Sequence, residues 1–265
     1  MQVVSVPTPE EVGRIAAAKV AMAVRTRPDA VLGVATGSSP LAIYRELARR
    51  AETGQLDFSR VRAFALDEYV GLPLDHPQSY HSVIRHEVVE PLGMRPALVH
   101  VPDGAAADLP RACEDYERAI RDAGGVDVQI LGIGANGHIG FNEPTSSFAS
   151  RTRIKTLAPT TRADNARFFE SPDDVPTHCL TQGLATILDA RQLVLVAQGE
   201  AKAEAVARMV EGPVSSMCPG SALQLHPDAT VVVDEAAASR IELADYYRYT
   251  YDHLPDWQRY DGRDG

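Results

Sequence analysis

Short apolar runs alternate with helical stretches along most of this chain, and that alternation constrains its fold more than any other feature. Residues 30–35, 61–66, 126–133, 193–197 and 229–233 are β-rich runs of five to eight residues. Between and around them, residues 10–25, 41–50, 81–90, 109–122, 200–211 and 235–244 place apolar side chains at helical spacing or favour helix by composition. Runs this apolar are buried on both sides, which a parallel sheet covered by helices provides. The expected fold class is therefore α/β, a doubly wound, mostly parallel central sheet with helices on both faces. No internal repeat, low-complexity block or linker interrupts the pattern, so residues 1–265 are read as a single domain. Residues 145–181 are long, polar and weakly periodic, and are expected to form a lid. The polar, aromatic tail at 246–265 is expected to be loosely held.

The formal net charge of −10 argues against a general nucleic-acid or anionic-membrane binder. It does not exclude a small anionic ligand, because backbone N–H groups and a few cations bind phosphate inside an acidic protein. No run approaches the ~20 apolar residues of a membrane span, and the N-terminus lacks the basic and apolar regions of a signal peptide. Cys113, Cys179 and Cys218 are widely spaced and odd in number, a poor disulfide framework. A reducing, cytoplasmic setting is the expectation.

Four polar segments each follow a predicted strand, on the edge where open α/β sheets bind ligands. The densest is residues 132–144, Gly-Ile-Gly-Ala-Asn-Gly-His-Ile-Gly-Phe-Asn-Glu-Pro, with four glycines among its thirteen positions. Glycine at that density permits sharp turns and close approach to a ligand. His138 is a natural proton shuttle, and Glu143, with Asn136, is placed to orient its ring. In Thr36-Gly37-Ser38-Ser39-Pro40 the expected arrangement is Ser39 capping a helix with Pro40 in its first turn. The turn reads equally as a cap without a ligand and as an anion cradle. Asp67-Glu68-Tyr69 reads either as surface acids on a turn or as a shielded carboxylate serving as a general base. Lys202 falls in the first turn of a predicted helix, where a cation is disfavoured unless an anion is near. Arg167 is a second candidate clamp or a surface arginine. His76, His81 and His86 are five apart and share no helix face, so no metal is expected there. No HExxH, CxxC, GxSxG, P-loop or complete GxGxxG is present.

Taken in order, Val34-Ala-Thr-Gly-Ser-Ser-Pro40, Ala65-Leu-Asp-Glu-Tyr-Val-Gly71, the 132–144 loop, Ser150-Arg-Thr-Arg-Ile-Lys-Thr156, Asn165-Ala-Arg-Phe-Phe169 and Ser221-Ala-Leu-Gln-Leu-His226 resemble the glucosamine-6-phosphate deaminase (isomerase) family. The resemblance runs from about residue 30 to about residue 235 and implies a Rossmann-like domain. It implies conversion of glucosamine 6-phosphate and water to fructose 6-phosphate and ammonia in amino-sugar catabolism, with no metal or organic cofactor. By the same likeness Asp67 moves a proton from C2 to C1. His138 opens the ring with Glu143 and residue 136 in support. Thr36, Gly37, Ser38, Ser39, Arg167 and Lys202 hold the phosphate. Asn136 departs from the aspartate found in many members, which leaves more of the electrostatic work to Glu143. Ser146, Arg153 and Lys155 match part of an allosteric site for N-acetylglucosamine 6-phosphate in oligomeric relatives, so a homo-oligomer is also admitted. A 6-phosphogluconolactonase-like hydrolase, a deaminase of another amino-sugar phosphate such as the galacto epimer, and a sugar-phosphate sensor stay open beside this reading.

Overall fold

The computed structural model describes residues 1–255 and 258–260. β1 (Gln2–Val6) leads into α1 (Pro9–Thr26), whose first turn is closed by the Thr8 hydroxyl accepting the Glu11 N–H at 3.2 Å. β2 (Val31–Val34), α2 (Leu41–Glu52), β3 (Arg62–Ala65) and β4 (Asp67–Tyr69) follow. A helical run then passes from α3 (Tyr80–Ile84) through a π-turn at Arg85–Val89 into α4 (Glu90–Leu92). Pro91 has no N–H to give an α-helical carbonyl, and the wider turn ahead of it relieves the clash its ring would make. After β5 (Val99–His100) come α5 (Leu109–Asp122), β6 (Val128–Leu131), β7 (Arg153–Thr156), α6 (Pro159–Asn165), β8 (His178–Thr181) and α7 (Leu184–Leu188). β9 (Gln192–Ala197), α8 (Ala203–Val210), β10 (Ala229–Asp234) and α9 (Ala244–Asp252) complete the order.

Seven strands form one sheet in the order β1-β10-β9-β6-β2-β3-β5, and every pairing is parallel. Successive strand residues face opposite layers, as the period of two requires. In β9, Val194 and Val196 pack with α1 and α2 residues, whereas Leu193 and Leu195 pack with Tyr116 and Ile120 of α5 and Val206 of α8. β10 divides in the same way, Val232 to the first layer and Val231 and Val233 to the second. Two apolar layers thus cover the sheet, the doubly wound arrangement expected from the sequence.

The chain runs outward from the middle in two directions: β2 to β3 to β5 one way, β6 to β9 to β10 the other. The order therefore reverses between β2 and β6, the place where such sheets open a crevice at their carboxyl ends. A second, antiparallel sheet in the order β4-β8-β7 stands beside this edge.

Several elements differ from expectation. β1, β7 and β8 were not legible as strands, and residues 145–181 hold β7, α6 and β8 rather than an irregular loop. The helix expected at 235–244 is a series of turns, and α9 begins where that helix should have ended. Asp234 accepts the N–H groups of Ala237 and Gly199, which fixes a turn, while Glu211 accepts those of Glu242 and Leu243 ahead of α9. The tail is docked where it is described. Tyr260 is buried, its hydroxyl donates to the Gln2 side chain, and the Lys19 ammonium lies 4.4 Å from its ring centroid. Residues 256–257 and 261–265 of that tail lie outside the described residues. Among the described residues no helix is long and apolar enough to cross a membrane.

Candidate active site

The loops after β2, β3, β6 and β9 emerge from four adjacent strands and enclose a cleft of about 500 Å³. Its wall includes Thr36, Gly37, Ser38 and Ser39 from the first loop, Asp67 from the second, Gly134 and His138 from the third and Lys202 from the fourth. Asp164, Arg167 and Phe168 complete it from α6 and the turn that follows.

The turn after β2 is held from behind. The Tyr44 hydroxyl accepts the Ala35 N–H at 3.0 Å and donates to the Ala35 carbonyl at 2.8 Å, while Gln198 donates to the Ser39 carbonyl at 3.2 Å. Gly37 has φ of 95°, a conformation that costs glycine little. Ser39 is not the helix cap expected. Pro40 occupies the cap position and no side chain caps α2, which leaves Ser38 and Ser39 facing the cleft mouth.

Asp67 and Glu68 are adjacent, and their surroundings separate their tasks. Glu68 accepts the N–H groups of Tyr80 and His81 at 2.8 Å and its neighbour Tyr69 at 2.8 Å, so it anchors the start of α3. Asp67 turns to the cleft at 5% exposure. Burial, with the nearby Glu68 charge in support and the Phe141 N–H opposing, pushes its carboxyl up to about 8.

In the glycine-rich loop two of the glycines are required by close neighbours. A side chain at Gly134 would enter the His138 ring, with atoms as close as 2.2 Å, and one at Gly137 would meet Cys218 Sγ at 2.7 Å. His138 Nδ1 stands 3.6 Å from Glu143 Oε2, too long for a hydrogen bond and within ion-pair reach. Asn136 makes no hydrogen bond to the ring. Its Nδ2 donates to Glu143 Oε2 at 2.8 Å and its Oδ1 accepts the His138 backbone N–H at 3.1 Å, so it braces the carboxylate and the turn together. Glu143 Oε1 accepts the Thr161 hydroxyl at 2.5 Å and the Ala158 N–H at 3.2 Å. Burial alone would push the Glu143 carboxyl up, but His138, Thr161 and Asn136 outweigh it and hold the group at about 2.

On the far wall, burial pulls the Lys202 ammonium below the usual lysine range, with Asp164 opposing and Arg167 adding to the shift. Lys202 ends a short 3-10 turn ahead of α8, and Asp234 fixes that turn by accepting the Gly199 N–H at 3.0 Å. Exposed Arg167 lies on the 3-10 turn continuing from α6. Lys202, Arg167 and the β2 turn thus line the same cleft as Asp67 and His138.

Ser146, Arg153 and Lys155 do not line this cleft. Ser146 is buried, Arg153 donates to Asn142 Oδ1 at 2.8 Å, and Lys155 is half-buried on β7. Arg153 borders a separate concavity of about 570 Å³ with Arg118, Arg121 and Arg151. Among the described residues no group of three or more His, Cys, Asp or Glu is arranged to hold a metal. Residues that sequence reasoning missed include Thr161 and the pair Asn165 and Tyr69, joined by a 3.0 Å bond from Asn165 Nδ2 to the Tyr69 hydroxyl. Tyr69 and Asn165 stood within recognisable motifs; nothing marked Thr161.

The family model for glucosamine-6-phosphate isomerases/6-phosphogluconolactonase matches residues 8–232. Glucosamine-6-phosphate deaminases of Arthrobacter sp. (strain FB24) and Streptomyces coelicolor are 61% and 59% identical, each over 97% of this chain and 99% of their own. A monomeric glucosamine-6-phosphate deaminase of known structure superposes with a TM-score of 0.89 at 45% identity, covering 91% of this chain and all of that one. The 6-phosphogluconolactonase from Trypanosoma cruzi superposes at 0.72 with 18% identity over 91% of this chain and 97% of its own, a likeness of fold alone. This chain belongs to the glucosamine-6-phosphate deaminase family.

Proposed function

We infer that this protein converts glucosamine 6-phosphate and water to fructose 6-phosphate and ammonia. The observation that carries the reading is one cleft holding three groups: the enclosed Asp67 carboxylate, the His138–Glu143 pair and a cationic end built from the 36–39 turn, Arg167 and Lys202.

The phosphate sits at the cationic end, where backbone N–H groups and two cations match its charge. That handle fixes the sugar, so orientation supplies much of the rate. His138 carries a proton between the anomeric hydroxyl and the ring oxygen, and the bond from C1 to O5 opens to give the aldehyde. Glu143 stabilises the imidazolium formed on the way. Asp67 then removes the proton from C2. A protonated amine at C2 places a cation beside this carboxylate, which favours its charged form and offsets its enclosure. The resulting enolamine takes a proton at C1 and becomes an iminium at C2. Water adds to C2, the bond from carbon to nitrogen breaks, and ammonia leaves with fructose 6-phosphate. Residues 145–181 serve as the lid of this cleft, and the whole chain works as one domain.

Ammonia release measured side by side with glucosamine 6-phosphate, its galacto epimer and 6-phosphogluconolactone tests the reading. The gluco substrate is expected to release ammonia fastest. Hydrolysis of the lactone without ammonia release from either amino sugar would replace the deaminase with a lactonase.

A further inference from the structure

The two oxygens of Glu143 face different parts of the molecule. Oε2 meets Asn136 and His138 within the glycine-rich loop. Oε1 reaches out to α6, where it takes the Thr161 hydroxyl at 2.5 Å and the Ala158 N–H at 3.2 Å. The shorter contact is in the range of a hydroxyl bonded to a charged carboxylate. Thr161 is buried and its hydroxyl has this carboxylate as its acceptor. Four residues on, Asn165 donates to the Tyr69 hydroxyl at 3.0 Å, two positions after Asp67. The next turn carries Arg167, which lines the cleft with Lys202. One short helix therefore touches the partner of His138, the strand of Asp67 and the cationic end.

We propose that Thr161 is a positioning residue for ring opening: its hydroxyl fixes the Glu143 carboxylate so that Oε2 stays aimed at His138. A carboxylate held only by Asn136 would turn about its last torsion, which is broad and soft. The Ala158 N–H at 3.2 Å is the longer and weaker of the two restraints on Oε1. The inference deepens the deaminase reading and rests on it.

The test compares Thr161→Val and Thr161→Ser with the wild-type protein on glucosamine 6-phosphate and on its 4,5-dideoxy analogue, which has neither O4 nor O5 and closes no five- or six-membered ring. For Thr161→Val, kcat on glucosamine 6-phosphate is expected to fall about tenfold to a hundredfold, the value of a hydrogen bond to a charged group. KM should move little, turnover of the 4,5-dideoxy analogue should be largely kept, and Thr161→Ser should restore most of the loss. A rise in KM with kcat unchanged, equal losses on both compounds, or a Ser variant no better than Val would each overturn the proposal. Should the Val variant fail to fold, Thr161→Ala is read by the same ratio between the two compounds. Absence of ammonia from the wild-type protein takes down the deaminase reading and this inference together. An active wild type indifferent to change at 161 takes down this inference alone.

Discussion

Asp67 and Glu143 are enclosed to nearly the same degree, 5% and 6% exposed, yet one holds its proton to about 8 and the other gives it up at about 2. Burial acts on both in the same direction. Asp67 lies deeper beneath the surface and feels burial more strongly, and the donors around the two acids differ as well. Glu143 receives three hydrogen bonds, from Asn136, Thr161 and Ala158, with His138 beside it. Asp67 has a second carboxylate next to it in sequence and the open cleft before it. A carboxylate surrounded by donors is a fixed charge suited to orienting a histidine, whereas one left short of donors is a group whose charge waits for a substrate. Enclosure alone does not assign a role; the count and kind of neighbours does.

The strongest way to break this contrast is Asp67→Asn, which keeps shape and burial and removes the carboxylate proposed as the base. Turnover is expected to fall about a thousandfold or more, near the upper range for a general base. Deuterium from solvent should no longer enter C2 of recovered glucosamine 6-phosphate, and exchange at the normal rate would place the base elsewhere. His138→Gln is expected to cost about a hundredfold on the ring-closed substrate. Its loss on the 4,5-dideoxy analogue, which closes no five- or six-membered ring, should be smaller, and equal losses would remove the ring-opening role. Glu143→Gln keeps much of the hydrogen bonding and deletes the charge, so a drop of about tenfold is expected, typical of an orienting partner. A loss as deep as that of Asp67→Asn would erase the distinction between the two acids.

A separate effect is in stability. Asp67 binds its proton more tightly folded than unfolded, since about 8 lies above its ordinary 3.8. Its contribution is complete below about pH 4 and is lost as pH rises through 8, with a slope on the order of 1 kcal/mol per pH unit. Glu143 has the opposite sign: its contribution is present above its ordinary 4.5 and lost as pH falls toward 2. Melting temperature measured across pH should therefore lose its descending limb between pH 4 and 8 in Asp67→Asn and keep it in Glu143→Gln. The same slope in both variants would show that Asp67 is not the group being titrated.

Where the architecture depends on local patterns, the sequence was informative. Residues 109–122 read as a helix and are α5 to the residue, because their apolar side chains keep strict helical spacing and Asp108 caps the start. The buried strands β2, β3, β6, β9 and β10 announce themselves as apolar runs. β7 does not, because Arg153-Ile-Lys-Thr156 lies on the edge of the small sheet with alternate residues exposed, and its pairing with β8 is a long-range event. The first turn after β10 is set by Asp234, and Glu211 at the end of α8 takes the N–H groups of Glu242 and Leu243, so helix propensity over 235–244 lost to these contacts. In the site, Asp67, His138, Glu143 and the phosphate turn stand in motifs with a chemical logic of their own. Thr161 has none, since its significance comes entirely from a carboxylate eighteen residues earlier.

Leu66 gives its N–H to the Val34 carbonyl of the parallel sheet and takes the N–H of Gln182 on its own carbonyl, and the next residue, Asp67, already pairs with Thr181 in the antiparallel one. Asp67 thus sits on a seam between a thick, doubly covered slab and a thin three-stranded flap. Seams of this kind part at lower free energy than the slab itself. Heat or denaturant should therefore silence the enzyme while most of its backbone amides are still protected from exchange, and cooling should bring activity back without a refolding lag.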